Sequence, residues 1–269
     1  MDNINIGIIG CGNMGSAIAS GIISMNITED NSLFVFDKIV DKSNYLAEKN
    51  KCSICSQDDL IKKADYIILS VKPQDFDSLV GEIGQKLDGQ TIISIMAGVS
   101  ICTIKEKLHK VSQIFRVMPN MPADICESIS CIASDEAADE KKLEFVKKIF
   151  SGIGKVIETE EKFMDAITAI SGSGPAYLFY LAEAMISAAK QQDMDDEMAK
   201  KLVFQTLYGA AKYLREKDAD PSKLIQKVAS KGGTTEAALS VFAEKECGAI
   251  IVEAIKKAKL RSEEISKGE

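Results

Sequence analysis

The first 160 residues alternate short, nearly unbroken apolar runs with segments of mixed polarity. Ile4–Ile9, Leu33–Phe36, Tyr66–Val71, Thr91–Ile95 and Gln113–Val117 read as buried strands, with Ser128–Ala133 and Lys155–Glu158 as two more. Between them, Asn13–Met25, Lys42–Lys49, Gln74–Lys86 and Ile101–His109 read as helices. Strands that are apolar throughout have no solvated face. The pattern therefore predicts an α/β fold, a doubly wound parallel sheet with helices on both sides.

Beyond about residue 160 the strand-like runs stop. Helical spacing takes over in Phe163–Ile170, Pro175–Gln191, Asp195–Lys217, Pro221–Ser230, Thr235–Glu244 and Gly248–Lys267, and Ser266–Glu269 reads as a frayed end. The expectation is a Rossmann-like domain over residues 1–160 and an all-α domain over 161–269. The Pro175–Gln191 segment is apolar on most faces, with Tyr177, Leu178, Phe179, Tyr180, Leu181, Met185 and Ile186. A helix of that kind must be covered all round. In so small a domain, a partner subunit is the natural cover.

Composition narrows the classes. The 269 residues are 46% hydrophobic and 27% charged, with a formal net charge of −7. No clustered basic face is present to neutralise nucleic-acid phosphates. An anionic cofactor or substrate must then be held by local donors instead of being drawn in by overall charge. Residues 6–25 are almost uncharged, but they hold Gly7, Gly10, Gly12, Gly15, Asn13 and Ser16, and no basic residue precedes them. They read as a buried strand and helix, not as an export signal or membrane span. The seven cysteines follow no pattern, and Cys52-x-x-Cys55 lacks a second pair. The one histidine, His109, lies in a lysine-rich segment and reads as a surface residue. Reduced thiols, a cytoplasmic setting and no metal site are expected.

Two glycine segments carry candidate chemistry. Gly10-Cys11-Gly12-Asn13-Met14-Gly15 fits G-x-G-x-x-G between a strand and a helix. Gly10 allows a tight turn, Gly12 lets a pyrophosphate approach the backbone, and Gly15 lets the helix pack close. The helix start presents free N–H groups to the phosphates. Asp37, ending the second strand, suits the adenosine ribose hydroxyls and hence NADH, while the adjacent Lys38 suits a 2′-phosphate and hence NADPH. Ser70, Val71, Lys72 and Pro73 lie at the end of the third strand, and Ala97-Gly98 after the fourth, so they are expected along the cofactor groove. Farther on, Gly232-Gly233-Thr234-Thr235 precedes an apolar helix. Its backbone amides form a nest suited to a small carboxylate, with the Thr235 hydroxyl within reach of a ring nitrogen; the plainer reading is that the threonines cap the helix.

Taken together with Val71-Lys72-Pro73-Gln74, Arg116-Val117-Met118-Pro119-Asn120-Met121-Pro122, Ser171-Gly172-Ser173-Gly174-Pro175-Ala176-Tyr177 and Ser230-Lys231-Gly232-Gly233-Thr234-Thr235, the chain resembles the pyrroline-5-carboxylate reductase family over nearly its whole length. The resemblance implies reduction of 1-pyrroline-5-carboxylate to proline with NADPH or NADH, and a helical domain that forms homodimers and, in some members, rings of dimers. It implies that Asn13 and Met14 touch the pyrophosphate and that Val71, Lys72, Pro73, Met118 and Asn120 lie toward the nicotinamide. It assigns Ser230, Gly232, Gly233, Thr234 and Thr235 to the substrate, with Thr235 as the catalytic candidate that orients the ring nitrogen. Lys231 stands where the family has proline. Two other readings share the layout. A β-hydroxyacid dehydrogenase would carry a lysine where Leu178 stands, and a dinucleotide-binding protein without turnover would be consistent with the Lys231 departure.

Overall fold

The computed structural model describes residues 4–29, 31–135 and 138–267. Among the described residues eight strands form one sheet: β1 (Ile6–Ile9), β2 (Leu33–Phe36), β3 (Ser53–Ile54), β4 (Tyr66–Leu69), β5 (Thr91–Ser94), β6 (Gln113–Met118), β7 (Ser128–Ser134) and β8 (Gly154–Glu158). Their order is β3-β2-β1-β4-β5-β6-β7-β8. Helices α1 (Asn13–Ser24), α2 (Val40–Lys49), α3 (Gln57–Lys63), α4 (Phe76–Ile83), α5 (Ile101–Lys107) and α6 (Glu140–Ser151) alternate with the strands. The sheet is mostly parallel, as the uniformly apolar strands imply. One pairing departs from that expectation: β7 runs antiparallel to β6. The link between them contains only a 3-10 turn at Met121–Ile125, too short for a parallel crossover of about a dozen residues.

Successive side chains on each strand enter opposite cores. Ile6, Ile8 and Ile68 join Ile18, Ile22 and Phe150 on one face. Ile9, Ile67 and Leu69 join Leu60, Leu79 and Ile83 on the other. The uncharged stretch after residue 6 is accordingly a buried strand and a mostly buried helix, and among the described residues no helix is long and apolar enough to cross a membrane. Three elements go beyond the sequence reading: β3, α3 and α6. The first is two residues long and α3 is seven, but α6 buries Leu143, Val146, Ile149 and Phe150 at regular helical spacing, a signal present in the sequence.

The register fixes where a ligand can lie. Ile9 pairs with Phe36 on one side and Leu69 on the other, so β1 ends between two neighbours. The chain leaves β1 toward β2, whereas β4 continues the sheet in the opposite direction. A crevice opens at such a reversal, beyond the carboxyl ends of the strands.

The chain divides into two compact units, residues 1–173 with 258–269, and residues 174–257. The first unit also holds α7 (Met164–Ile167), flanked by a 3-10 turn at Glu161–Phe163 and a π-helical turn at Thr168–Gly172. The second is all helical: α8 (Gly174–Lys190), α9 (Asp196–Lys217), α10 (Pro221–Val228), α11 (Thr234–Glu244) and the start of α12 (Cys247–Lys267). The last part of α12 belongs to the first unit. There the Ser262 hydroxyl donates to Asp165 at 2.8 Å, and Ile265 lies against Gly98. The expected frayed end is thus ordered helix through Lys267, and residues 268–269 lie outside the described residues.

Unit two does not close its own core. Ala182 is the one buried residue of α8, while Leu178, Phe179 and Leu181 are exposed and Tyr180 is 76% exposed. Helices α10 and α11 bury nothing fully. The all-round apolar helix is therefore not the centre of a monomeric core. A bare apolar surface of this extent marks an association face.

Candidate active site

The turn after β1 shows a different reason for each of its glycines. Gly10 has φ +104°, and a Cβ there would lie 2.3 Å from the Ser70 carbonyl oxygen. A Cβ on Gly15 would lie 2.1 Å from the Gly10 oxygen, so α1 can rest on the turn only without a side chain there. A Cβ on Gly12 meets nothing within 4 Å. Packing within the protein does not require glycine at that position; what a side chain would obstruct is a ligand approaching the amides. Gly12 is the N-cap of α1, with no side-chain cap, and the first turn holds no acidic residue. The helical ladder starts with Ser16 N–H on the Gly12 carbonyl at 2.9 Å, which leaves the amides of Asn13, Met14 and Gly15 outside it. These donors and the positive end of the helix dipole fit a diphosphate.

Asp37 closes the turn from the β2 side. Its Oδ2 accepts the Cys11 N–H at 2.7 Å and its Oδ1 the Ile39 N–H at 2.8 Å. Burial, reinforced by the Asp37 charge, pushes the Cys11 thiol up to about 12, so it stays protonated. Lys38 turns elsewhere: its Nζ donates to Glu82 Oε1 at 2.8 Å and to Ser78 Oγ at 3.4 Å. A groove of about 530 Å³ brings together Gly10, Gly12, Asp37, Lys38, Ser70, Val71 and Lys72, along with Lys42 and Gln57, which the sequence reading missed.

A second hollow of about 280 Å³ brings Asn13 and Met14 to Asn120 and Gly172. Asn120 acts there as a brace. Its Oδ1 accepts the Ile129 N–H at 3.0 Å, and its Nδ2 donates to the Ser171 carbonyl at 3.2 Å. Met118 packs on Gly172, where a Cβ would lie 2.6 Å from its Cε. Gly15, Pro73, Ala97 and Met118 stand outside both hollows. Gly98 has φ +73°, and a Cβ there would lie 2.6 Å from the Ile265 side chain.

Arg116, the first residue of the Arg116–Pro122 motif, is 4% exposed. Its guanidinium meets Glu161 at 3.4 Å and Asp165 at 3.3 Å. Glu161 also accepts the Ile101 N–H at 2.6 Å. An arginine inside the apolar strand Gln113–Met118 is the signal for such a cluster, because an arginine is almost never fully buried unpaired. It ties β6, the start of α5 and α7 into one frame behind the second hollow. His109 is exposed, and burial pushes the Cys52 thiol up to about 11 and raises Cys55 as well.

The second glycine segment is a β-turn followed by a helix start. The Gly233 N–H donates to the Ser230 carbonyl at 3.0 Å, and Gly232 has φ +72°. That is a type II turn with Lys231 at its second position and glycine at its third. Proline suits the second position as well, so the departure at Lys231 leaves the turn type intact. Gly233 is the N-cap of α11, and Thr234 and Thr235 are its first helical residues. Neither threonine caps the helix, which sets aside the plainer reading. The ladder begins with Ala237 N–H on the Gly233 carbonyl, leaving the amides of Thr234, Thr235 and Glu236 outside it. The nest is less open than the sequence suggests, because Glu236 Oε2 accepts the Gly232 N–H at 2.6 Å. Ser230, Gly232 and Thr234 are exposed, and Gly233 and Thr235 are half-buried. Thr235 and Leu239 line a mostly apolar groove of about 720 Å³.

A strand-order reversal, a three-glycine turn and an acidic residue after β2 define a dinucleotide-binding oxidoreductase framework, here carrying an all-helical unit with a bare apolar face. A family profile described as NADP oxidoreductase, coenzyme F420-dependent, matches residues 5–98, and one described as pyrroline-5-carboxylate reductase dimerisation matches residues 161–265. The pyrroline-5-carboxylate reductase of Methanosarcina acetivorans is 34% identical, over 99% of this chain and 100% of its own. The structure of Plasmodium falciparum pyrroline carboxylate reductase with NADP bound superposes with a TM-score of 0.89 at 30% identity, covering 99% of both chains. That of a Coxiella burnetii pyrroline-5-carboxylate reductase gives 0.88 at 32%, covering 98% of this chain and 99% of the other. The chain belongs to the pyrroline-5-carboxylate reductase family.

Proposed function

We propose that this chain reduces 1-pyrroline-5-carboxylate to L-proline with NADPH or NADH. The cofactor, when bound, supplies the hydride that adds to the C=N carbon; a proton joins the nitrogen to complete the amine. The chain's own residues bind and orient. The amides of Asn13, Met14 and Gly15 hold the diphosphate, and the Gly10 turn brings them to it. The groove walls at Asp37, Lys38 and Ser70–Lys72 take the adenosine end and the approach to the ring, with Pro73 and Ala97 shaping the strand ends behind them. Asn120 and Met118 hold the floor on the nicotinamide side. The Ser230–Gly233 turn and the first amides of α11 take the substrate carboxylate, and the Thr235 hydroxyl orients the ring nitrogen.

The observation that carries the substrate assignment is the Glu236 carboxylate on Gly232 N–H at 2.6 Å, because it is a carboxylate that this turn holds. An acidic protein thereby binds an acidic substrate through backbone dipoles.

The same reading places dinucleotide binding within residues 1–160 and substrate binding and dimerisation within 161–269. It makes the working form a homodimer, or a ring of dimers, in the cytoplasm. Purified protein is expected to oxidise NADH or NADPH only when 1-pyrroline-5-carboxylate is added, forming one proline per dinucleotide. Absence of turnover with either cofactor would reject the proposal.

A further inference from the structure

We infer that this chain selects NADH over NADPH, and that Asp37 makes the selection. The inference rests on the reading that the Gly10–Gly15 turn holds a dinucleotide, and it goes beyond that reading to the chemistry of the ribose.

The two cofactors differ at one group. NADH presents a ribose 2′-hydroxyl, which can donate a hydrogen bond, whereas NADPH presents a 2′-phosphate, which carries charge and only accepts. Asp37 lies at the end of β2 on the wall of the cofactor groove. Its carboxylate is fixed in place by Cys11 N–H at 2.7 Å and Ile39 N–H at 2.8 Å. A carboxylate has about four acceptor sites, and two backbone amides fill two of them. The remaining sites match hydroxyl donors and repel a phosphate. Because Cys11 lies inside the glycine turn itself, the carboxylate cannot swing away without breaking that bond.

A phosphate would need a cation to offset this repulsion, and the adjacent one is engaged. Lys38 donates to Glu82 at 2.8 Å, and the pairing holds the Glu82 carboxyl below its ordinary range. The chain has three arginines, Arg116, Arg215 and Arg261, none of them in the loop after β2. Arg116 is bound to Glu161 and Asp165, and Arg261 to Glu264. Lys42, in the helix after β2, and Lys72, after β4, are the other lysines on the groove wall, and Lys42 alone of these two shares the β2 side with Asp37. One exposed ammonium on the side of a fixed carboxylate does not make a phosphate site.

The test is equilibrium titration of the full chain with NADH and, separately, NADPH, without substrate, read by nicotinamide fluorescence. NADH is expected to bind at least about ten-fold more tightly, the scale of one close like-charge contact. Asp37→Asn removes the charge and keeps an acceptor for one of the two amides, since its Oδ1 accepts and its Nδ2 only donates; it is expected to tighten NADPH and weaken NADH. Lys42→Ala added to Asp37→Asn should undo the gain for NADPH. Equal or tighter binding of NADPH by the unaltered chain overturns the inference. So does an Asp37→Asn variant that loses both cofactors equally, since Asp37 would then be a brace and nothing more. Binding of neither dinucleotide overturns the underlying reading as well. Binding of both without preference removes this inference alone.

Discussion

Two glycine-rich turns open two helices in this chain, and their surroundings differ. The Gly10–Gly15 turn sits in a finished frame, pressed against the Ser70 carbonyl and bonded to Asp37. The Ser230–Gly233 turn is exposed, with nothing within 4 Å of a Cβ placed on Gly232, on a unit whose apolar helices are bare. The first turn is packed within its own unit, whereas the second lies on a unit whose apolar helices are left bare. Substitutions in the first should therefore act on stability and dinucleotide affinity together. Those in the second should act on assembly and substrate affinity.

The largest effect is expected at Arg116. Replacing it with alanine leaves Glu161 to the Ile101 N–H and Asp165 to the Ser262 hydroxyl, and loss of the buried guanidinium from two partly buried carboxylates costs about 3 kcal/mol, the low end for a buried pair. Denaturant unfolding measures it, and a change within experimental error would mean that the frame behind the second hollow is not held by this cluster. Gly10→Ala comes next. Positive φ and a Cβ 2.3 Å from a backbone oxygen should cost on the order of 3 kcal/mol and abolish dinucleotide binding. The matched change Gly232→Ala has positive φ but open space, so it should cost only about 1 kcal/mol and appear mainly as a higher KM for the imino acid. If the two glycine variants lose stability equally, the contrast between the turns fails.

Much of this contrast is legible in the sequence. The apolar runs mark β1, β2, β4, β5 and β6, and the glycine spacing marks the first turn, because both signals are local. Direction is not local: nothing in Ser128–Ser134 says that β7 runs antiparallel, since that follows from the length of the link before it. The two-residue β3 is too short to show any period. The partner of Lys38 is Glu82, 44 residues away, so the choice between Asp37 and Lys38 becomes readable only once β2 and α4 are adjacent. The capping role considered for Thr234 and Thr235 failed for a similar reason, as the helix starts one residue earlier than the apolar pattern suggests. Glu236 reaching back to Gly232 is a four-residue contact that the sequence permits but does not single out.

Three further substitutions probe the second region. Tyr180→Glu puts a charge on the most exposed aromatic of α8, and loss of an aromatic anchor from an association face is expected to weaken association by about 2 kcal/mol, roughly thirty-fold. Sedimentation should show dissociation while the first unit keeps its dinucleotide affinity. Glu236→Gln weakens the internal acceptor on Gly232 N–H, and KM for the imino acid should fall by up to about five-fold, the scale of one hydrogen bond near 1 kcal/mol. An unchanged KM would separate that amide from the substrate. Lys231→Pro should raise stability by about 0.4–1 kcal/mol, because proline suits the second position of a type II turn and restricts the unfolded chain. A thermal scan that shows a loss instead would mean the turn has been misread.

A crystal structure of the chain with NADH and L-proline bound would show which amides each ligand occupies. The diphosphate is expected on the amides of Asn13, Met14 and Gly15, and the proline carboxylate on the amides that follow Gly232. Density for the dinucleotide away from the β1 turn, or for proline away from the start of α11, would contradict it.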